Sequence, residues 1–323
     1  MRPIRLNKTI IDQFEKLIDD ELKNDKSALS KAKDAIDAYQ PLNKEEGDAL
    51  LEIKADFKAF LLKTPTDHKT LVEKWDNISS QLFSFKATSG HLKKTPFCER
   101  ILDALNYEHF REEYAAKIAE KIKLKACPYC NAALTIVATK ESGKQNARFQ
   151  LDHYFPKSKY PLLSISFFNL IPSCGNCNNT KSSKPVKLGL DFHLYANETP
   201  IEGFKFRLQK HSIAKYRVTD IIDDIEIEFV SGVDGDKIKT YHHNKSFDIK
   251  GIYDTQKDII QELFWKEKAY PPEKINELSN LLKLPPSVIK RMVIGNYIDK
   301  EDIHKRPLAK FEQDIARQLG LIK

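Results

Sequence analysis

Leu151-Asp152-His153-Tyr154-Phe155-Pro156-Lys157-Ser158-Lys159-Tyr160 is the stretch on which the fold turns, because it lies between two cysteine pairs, Cys127-Pro128-Tyr129-Cys130 and Cys174-Gly175-Asn176-Cys177. Each pair has the spacing of a knuckle that turns two thiolates toward one ion. Four sulfurs at tetrahedral corners make a closed structural Zn2+ site with no open position for water. With 43 residues between the knuckles, such an ion pins together the two ends of the intervening segment. The remaining cysteine, Cys98, is expected to pack as a small apolar residue.

Between the knuckles the apolar period changes to that of strands. Leu134, Ile136 and Val137 read as one strand, Glu141-Ser142-Gly143-Lys144 as a turn, and Arg148-Phe149-Gln150-Leu151 as a second strand running into Asp152-His153. The expected element is a β-hairpin that ends on an acid–histidine pair. Asn169 falls in the following loop, Asn178 directly follows the last cysteine, and Asn178 to Lys184 reads as the start of a short helix. Hydrolysis of a phosphodiester needs a positioned base, a Lewis acid and cationic phosphate clamps. All three residue types converge on this segment.

The arrangement resembles the HNH endonuclease family, the ββα-metal fold. The residues that carry the resemblance are Leu151 to Tyr160, then Asn169-Leu170-Ile171-Pro172-Ser173-Cys174, then Cys177-Asn178-Asn179-Thr180-Lys181, in order and at mutual spacing, and the resemblance as a whole covers about 60 residues. It implies that His153 is the general base on the attacking water. Asp152 and Asn178 would hold a hard divalent cation, Mg2+ or Mn2+, through oxygen, and Asn169 would hold the loop and orient the histidine. Lys157, Lys159, Lys181 and Lys184 would contact phosphates. The final family position is asparagine here rather than histidine, which favours Mg2+ or Mn2+ over softer ions. The products implied carry 5′-phosphate and 3′-hydroxyl ends. Proteins of this general layout occur in bacterial restriction and anti-phage systems, some beside an ATPase, as in Septu-like and retron-associated systems. An ATPase or other defence-system partner is therefore an expectation of the resemblance.

Plainer readings of the same residues stand beside these. His153 could cap the hairpin, Asn169 could stabilise its loop without a catalytic part, and Lys157 and Lys159 could be solvated lysines. Tyr129 and Phe155 are expected to pack the small zinc core rather than stack on bases. Two rival functions also fit: an RNase using the same centre, for instance against transfer RNA, and a zinc-stabilised module that binds nucleic acid without cutting it. The attacked phosphate is common to DNA and RNA. DNA is the favoured substrate.

Charge points the same way. From Lys121 to Leu190 eleven basic residues face two carboxylates, Glu141 and Asp152, so this segment's excess of +9 exceeds the +7 of the whole 323-residue chain. A concentrated positive field of this kind suits a polyanion.

Outward from the centre, residues 1–125 read as a helical domain. Ile10, Ile11, Phe14, Leu17, Ile18 and Leu22 form one stripe; Leu50 to Leu61 and Leu71 to Leu82 repeat it; and Thr95-Pro96 opens a long helical stretch from Phe97 to about Lys123. Residues 126–190 form the nuclease module. Residues 191–323 read as a mixed α/β region, with strands near Phe204–Leu208 and Ile225–Phe229 and helices interrupted at Pro271-Pro272 and Pro285-Pro286. The adjacent His242-His243 are placed on a strand, pointing to opposite faces and binding no metal. The fold class expected is α+β, mostly helical around a central ββα-metal module.

The chain opens Met1-Arg2-Pro3-Ile4-Arg5 into charged, helix-patterned sequence without an apolar leader, and its most apolar stretch, Leu162–Ile171, is too short to span a bilayer. A cytoplasmic protein with no membrane segment is the expectation.

Overall fold

The computed structural model describes residues 3–87, 92–182, 191–195, 202–233 and 235–322. The protein is α+β and mostly helical, with small antiparallel two-stranded sheets.

The first part comprises α1 (Lys8–Leu22), α2 (Ala28–Ala38), α3 (Lys44–Ala55), α4 (Phe57–Leu61) and α5 (Pro65–Ile78). A hairpin follows, β1 (Ser84–Lys86) paired with β2 (Leu92–Lys94), and then α6 (Pro96–Leu105) and α7 (Tyr107–Ile122). Side chains of Asn7, Ser27, Asn43, Asp56, Thr64 and Thr95 accept from the first-turn amides and so fix where the helices begin.

One expectation for this region needs correction: the hairpin interrupts a stretch read as helical throughout. The helical stretch expected from Phe97 to about Lys123 is present as two helices that meet at a break at Asn106, which sits at φ 38° as the last cap of α6 while its side chain caps α7. Asparagine tolerates the left-handed conformation, and the apolar pattern continues across the break, so periodicity conceals it.

In the centre, β3 (Ile136–Thr139) pairs with β4 (Gln145–Arg148), and β5 (Gln150–His153) pairs with β6 (Leu170–Ser173), which leads into α8 (Gly175–Lys181). The expected hairpin is present as β3 and β4, but its second strand, read as running from Arg148 into Asp152-His153, is divided into β4 and β5. Phe149 separates them, and the acid–histidine strand takes its partner from beyond the loop, with Asp152 opposite Ile171 and His153 opposite Leu170. The ββα unit is β5, β6 and α8.

That unit is rooted in the helical region. Phe167 and Phe168, in the loop between β5 and β6, pack on Phe14 of α1 with ring centroids 5.1 and 5.4 Å away, and Phe167 also meets Phe110 of α7 at 5.6 Å. Both loop phenylalanines are fully buried, each contributing about 1.5–3 kcal/mol of apolar burial.

The remaining chain forms β7 (Phe204–Leu208), α9 (Lys210–Thr219), β8 (Ile227–Ser231), α10 (Lys237–Phe247), α11 (Ile249–Asp254), α12 (Lys257–Ala269), α13 (Pro272–Leu282), α14 (Pro286–Ile294) and α15 (Ala309–Gln318). β7 and β8 pair antiparallel, with Phe206 opposite Phe229. His242 and His243 lie on α10, begun by the Asp236 cap, and not on a strand. This region clasps the first cysteine knuckle. The Tyr253 hydroxyl donates to the Cys130 carbonyl (2.8 Å), His243 Nε2 to the Tyr129 carbonyl (2.7 Å), and Asn131 Nδ2 to the Ile303 carbonyl (2.8 Å). Two knuckle carbonyls and the Asn131 side chain beside them are thus tied to the C-terminal region.

Candidate metal centres and substrate cleft

The four knuckle sulfurs lie within 4.8 Å of one another. Cys130 Sγ and Cys174 Sγ are 4.0 Å apart, close to the roughly 3.8 Å expected at the corners of a tetrahedron with metal–sulfur bonds of about 2.3 Å. Backbone amides aim at the sulfurs as well: Ala132 at Cys130 Sγ (3.4 Å), Cys174 at Cys127 Sγ (3.4 Å) and Cys177 at Cys174 Sγ (3.5 Å). Hydrogen bonds among the sulfurs hold the Cys174 and Cys130 thiols below their usual range and push Cys177 up, while burial pushes Cys127 up. Thiolate is the form that binds metal. A disulfide is not formed by any of the five cysteines.

Asp152 emerges from β5 into a buried setting. Its Oδ2 accepts from the Tyr129 hydroxyl at 2.6 Å and its Oδ1 from Lys181 Nζ at 3.0 Å. Lys181 also donates to the His153 carbonyl at 2.7 Å and is only 8% exposed. A lysine is so deeply buried only when paired. The structure thus places Lys181 on the candidate metal carboxylate, rather than on an open surface awaiting phosphate. Tyr129 belongs to the first knuckle, where it stacks on Phe247 with centroids 4.4 Å apart.

His153 follows on the same strand with its ring half-buried. Nε2 lies 2.9 Å from the Ser164 carbonyl. Since a carbonyl only accepts, Nε2 carries the hydrogen, and Nδ1 is the basic nitrogen of the neutral ring. Burial pulls the histidine's pKa down to about 3, partly opposed by the Ser164 hydrogen bond and reinforced by the charges of Lys157 and Lys181. The ring is held in its neutral form, with Nδ1 unprotonated. The Tyr107 ring of α7 packs against it at 4.5 Å between centroids.

Asn169 is fully buried and ties the loop together. Its Oδ1 accepts from the Phe155 amide (2.8 Å), while Nδ2 donates to the carbonyls of Phe155 (3.2 Å) and Leu163 (3.0 Å). It touches His153 only through this loop, which also presents the Ser164 carbonyl. Asn178, on α8, donates from Nδ2 to Gln150 Oε1 at 2.6 Å, and its own Oδ1 has no donor among the described residues.

Asp152, His153 and Asn178 line one cleft of about 620 Å³, together with Gln150, Lys157 and Asn179. This lies within the roughly 300–1,000 Å³ range of ligand sites. Its opposite side comes from the helical region: Lys94, Tyr107, Glu108 and Arg111. Lys157 lies in the cleft, 4.1 Å above the Tyr107 ring and paired with Glu108 at 3.3 Å. Lys159 is turned away, paired with Asp76 at 3.4 Å, and does not line the cleft. Lys184 lies outside the described residues. Tyr107, Arg111 and Lys94 were not singled out from sequence, since they lie forty or more residues before Leu151 in a region read as ordinary helix.

Over 61 residues the chain is 31% identical to the Septu protein PtuB of Bacillus thuringiensis, a match covering 19% of this chain and 21% of that protein. The chain thus spans about a fifth of that relative's length. Neither a protein-family model nor a solved structure matches the chain. Among the described residues no helix is long and apolar enough to cross a membrane.

Proposed function

We propose that this protein is a metal-dependent endonuclease of the HNH type that hydrolyses phosphodiester bonds in nucleic acid, with DNA the favoured substrate. The observation that carries the reading is the meeting of Asp152, His153 and Asn178 in one cleft on a strand–strand–helix unit. The Ser164 carbonyl, by taking the Nε2 hydrogen, leaves His153 Nδ1 as the base.

The side chains present suit two metals. Cys127, Cys130, Cys174 and Cys177 are a closed soft set for structural Zn2+. Asp152 Oδ1 already sits against a cation, the Lys181 ammonium, and Asn178 offers a carboxamide oxygen that has no donor among the described residues. These are hard donors for Mg2+ or Mn2+. A divalent ion held there would supply Lewis-acid stabilisation of charge on the phosphate and the departing 3′ oxygen.

The protein's own groups do the rest. His153 Nδ1 accepts a proton from the attacking water as its oxygen bonds to phosphorus and the P–O3′ bond breaks. The leaving oxygen takes a proton from solvent, and the new ends are 5′-phosphate and 3′-hydroxyl. Asn169 fixes the loop that orients the histidine, and Lys157, paired with Glu108, lines the cleft beside it.

The likeness to a Septu protein supports a place in bacterial defence or restriction, with an ATPase or other defence-system component as partner. A second reading, a zinc-stabilised module that binds nucleic acid without cutting, draws on Lys181 already satisfying Asp152. Incubating the purified protein with plasmid, single-stranded DNA and bulk tRNA, in Mg2+, Mn2+ or EDTA, separates them. Metal-dependent cutting lost in His153→Ala supports the enzyme, and the substrate cut distinguishes DNase from RNase. Tight binding with no cutting supports the module, whereas undiminished cutting by His153→Ala removes the assigned base.

A further inference from the structure

The wall of the cleft opposite the ββα unit belongs to the helical region, and its cations are not spent in the same way. Lys157 is neutralised by Glu108, and Lys181 is buried on Asp152. Arg111 lines the cleft on α7 but makes no ion pair or hydrogen bond among the described residues. Lys94, exposed at the end of β2, is another cleft cation with none.

Arg111 lies four residues, one helical turn, beyond Tyr107, and the Tyr107 ring rests on His153. The Tyr107 hydroxyl donates to the Leu151 carbonyl at 3.1 Å, which fixes α7 against the strand that carries the base. Arg111 is thereby held on the same rigid element one turn from the reacting centre. Its stem is half-buried, so less side-chain freedom remains to be lost when a ligand is gripped. A guanidinium is a planar fork matched to two phosphate oxygens. Glu108 and Asp152 also face the cleft; with the first engaged by Lys157 and the second by Lys181, they leave the Arg111 charge uncompensated.

We propose that Arg111, assisted by Lys94, binds a backbone phosphate of the nucleic-acid substrate beside the one that is cut, so that the helical region forms one wall of the substrate cleft. The inference rests on the nuclease reading above and names the residue by which the flanking region enters that site. It requires phosphate chemistry alone, which DNA and RNA share.

The test uses the full chain carrying His153→Ala, which removes the base, and a short fluorescein-labelled DNA strand alongside its RNA counterpart, with EDTA present and salt varied. Adding Arg111→Ala is expected to weaken binding roughly tenfold, as for loss of one charge-assisted hydrogen-bonded contact. It should also reduce the slope of log K against log salt by about 0.7, as for one phosphate contact on a single strand. Arg111→Lys should retain the slope and lose part of the affinity, and Lys94→Ala should shrink the slope by less. These two variants also decide the matter if Arg111→Ala melts below its parent. Affinity and slope unchanged in both Arg111 variants would overturn the proposal, as would a parent that binds neither strand. Cutting by the wild-type chain in Mg2+ or Mn2+ reports on the nuclease reading separately. A chain that binds through Arg111 and never cuts loses the enzyme reading but keeps the phosphate site.

Discussion

The Tyr129 hydroxyl donates a 2.6 Å hydrogen bond to Oδ2 of Asp152, which joins a cysteine knuckle to the acid of the candidate catalytic pair. Tyr129 sits between Cys127 and Cys130, so a metal that organises the knuckle also sets the direction of the carboxylate. Burial and the Asp152 charge push the tyrosine far above its usual pKa, so it remains a donor. Tyr129→Phe should keep fold and zinc content while weakening divalent-ion affinity by about 10–100-fold, as when other outer partners of metal ligands are removed. Mn2+ titration by calorimetry reads this directly. Unchanged affinity would show that Lys181 alone sets the carboxylate.

The purified chain should carry about one zinc per molecule, by elemental analysis. Cys127→Ala should lose that metal and lower the melting temperature, because site formation and folding are coupled. A chain isolated without zinc and unmoved by its addition would contradict the structural-metal assignment.

Phe167→Ala should destabilise the protein by about 3–5 kcal/mol in urea unfolding. The ring is fully buried between Phe14 and Phe110, and the neighbouring rings cannot all collapse into its space. An effect below about 1 kcal/mol would mean that the ββα loop and the helical region are not packed together in solution.

Acid should destabilise the fold through His68 before the carboxylates titrate. His68 is fully buried, with Nε2 at 2.8 Å from Ser166 Oγ, whose hydroxyl donates to the Leu61 carbonyl, and Nδ1 has no partner among the described residues. Burial lowers its pKa from 6.5 to about 3. The unfolded chain therefore takes up the proton first. The His68 contribution is complete above pH 6.5 and is lost as pH falls from there toward 3, by about 1.4 kcal/mol per pH unit. Unfolding curves between pH 7 and pH 4 for the wild type and His68→Gln should differ in slope over that window. Parallel curves would place the proton elsewhere.

Much of the centre was legible because its signals are local. The two Cys-x-x-Cys pairs, the Asp152-His153 dipeptide and the basic bias of Lys121–Leu190 can be read without knowing any long-range contact. The burial of Cys98, the strand at Phe204–Leu208, the strand expected at Ile225–Phe229 and found at Ile227–Ser231, and the helix interruptions at Pro271-Pro272 and Pro285-Pro286 follow from similarly local rules. The errors came where a local pattern is shared by two structures. Residues 148–153 read as one strand but are divided at Phe149, because the two parts have different partners. His242-His243 took helix from the Asp236 cap and from the burial of Thr240, His243 and Phe247 on one face.

By itself, then, the sequence determined which residue types gather near one metal-binding unit and that the fold is helical around it, since short-range spacing and periodicity encode both. Tertiary structure alone decided how those residues are used. It set the histidine tautomer through the Ser164 carbonyl, seated Lys181 on Asp152, tied Tyr129 to the same carboxylate, and brought Tyr107 and Arg111 across from positions about forty residues earlier. Each of these depends on which surfaces bury one another, and Phe167 and Phe168, locked against Phe14, are what bring the helical region to the edge of the cleft.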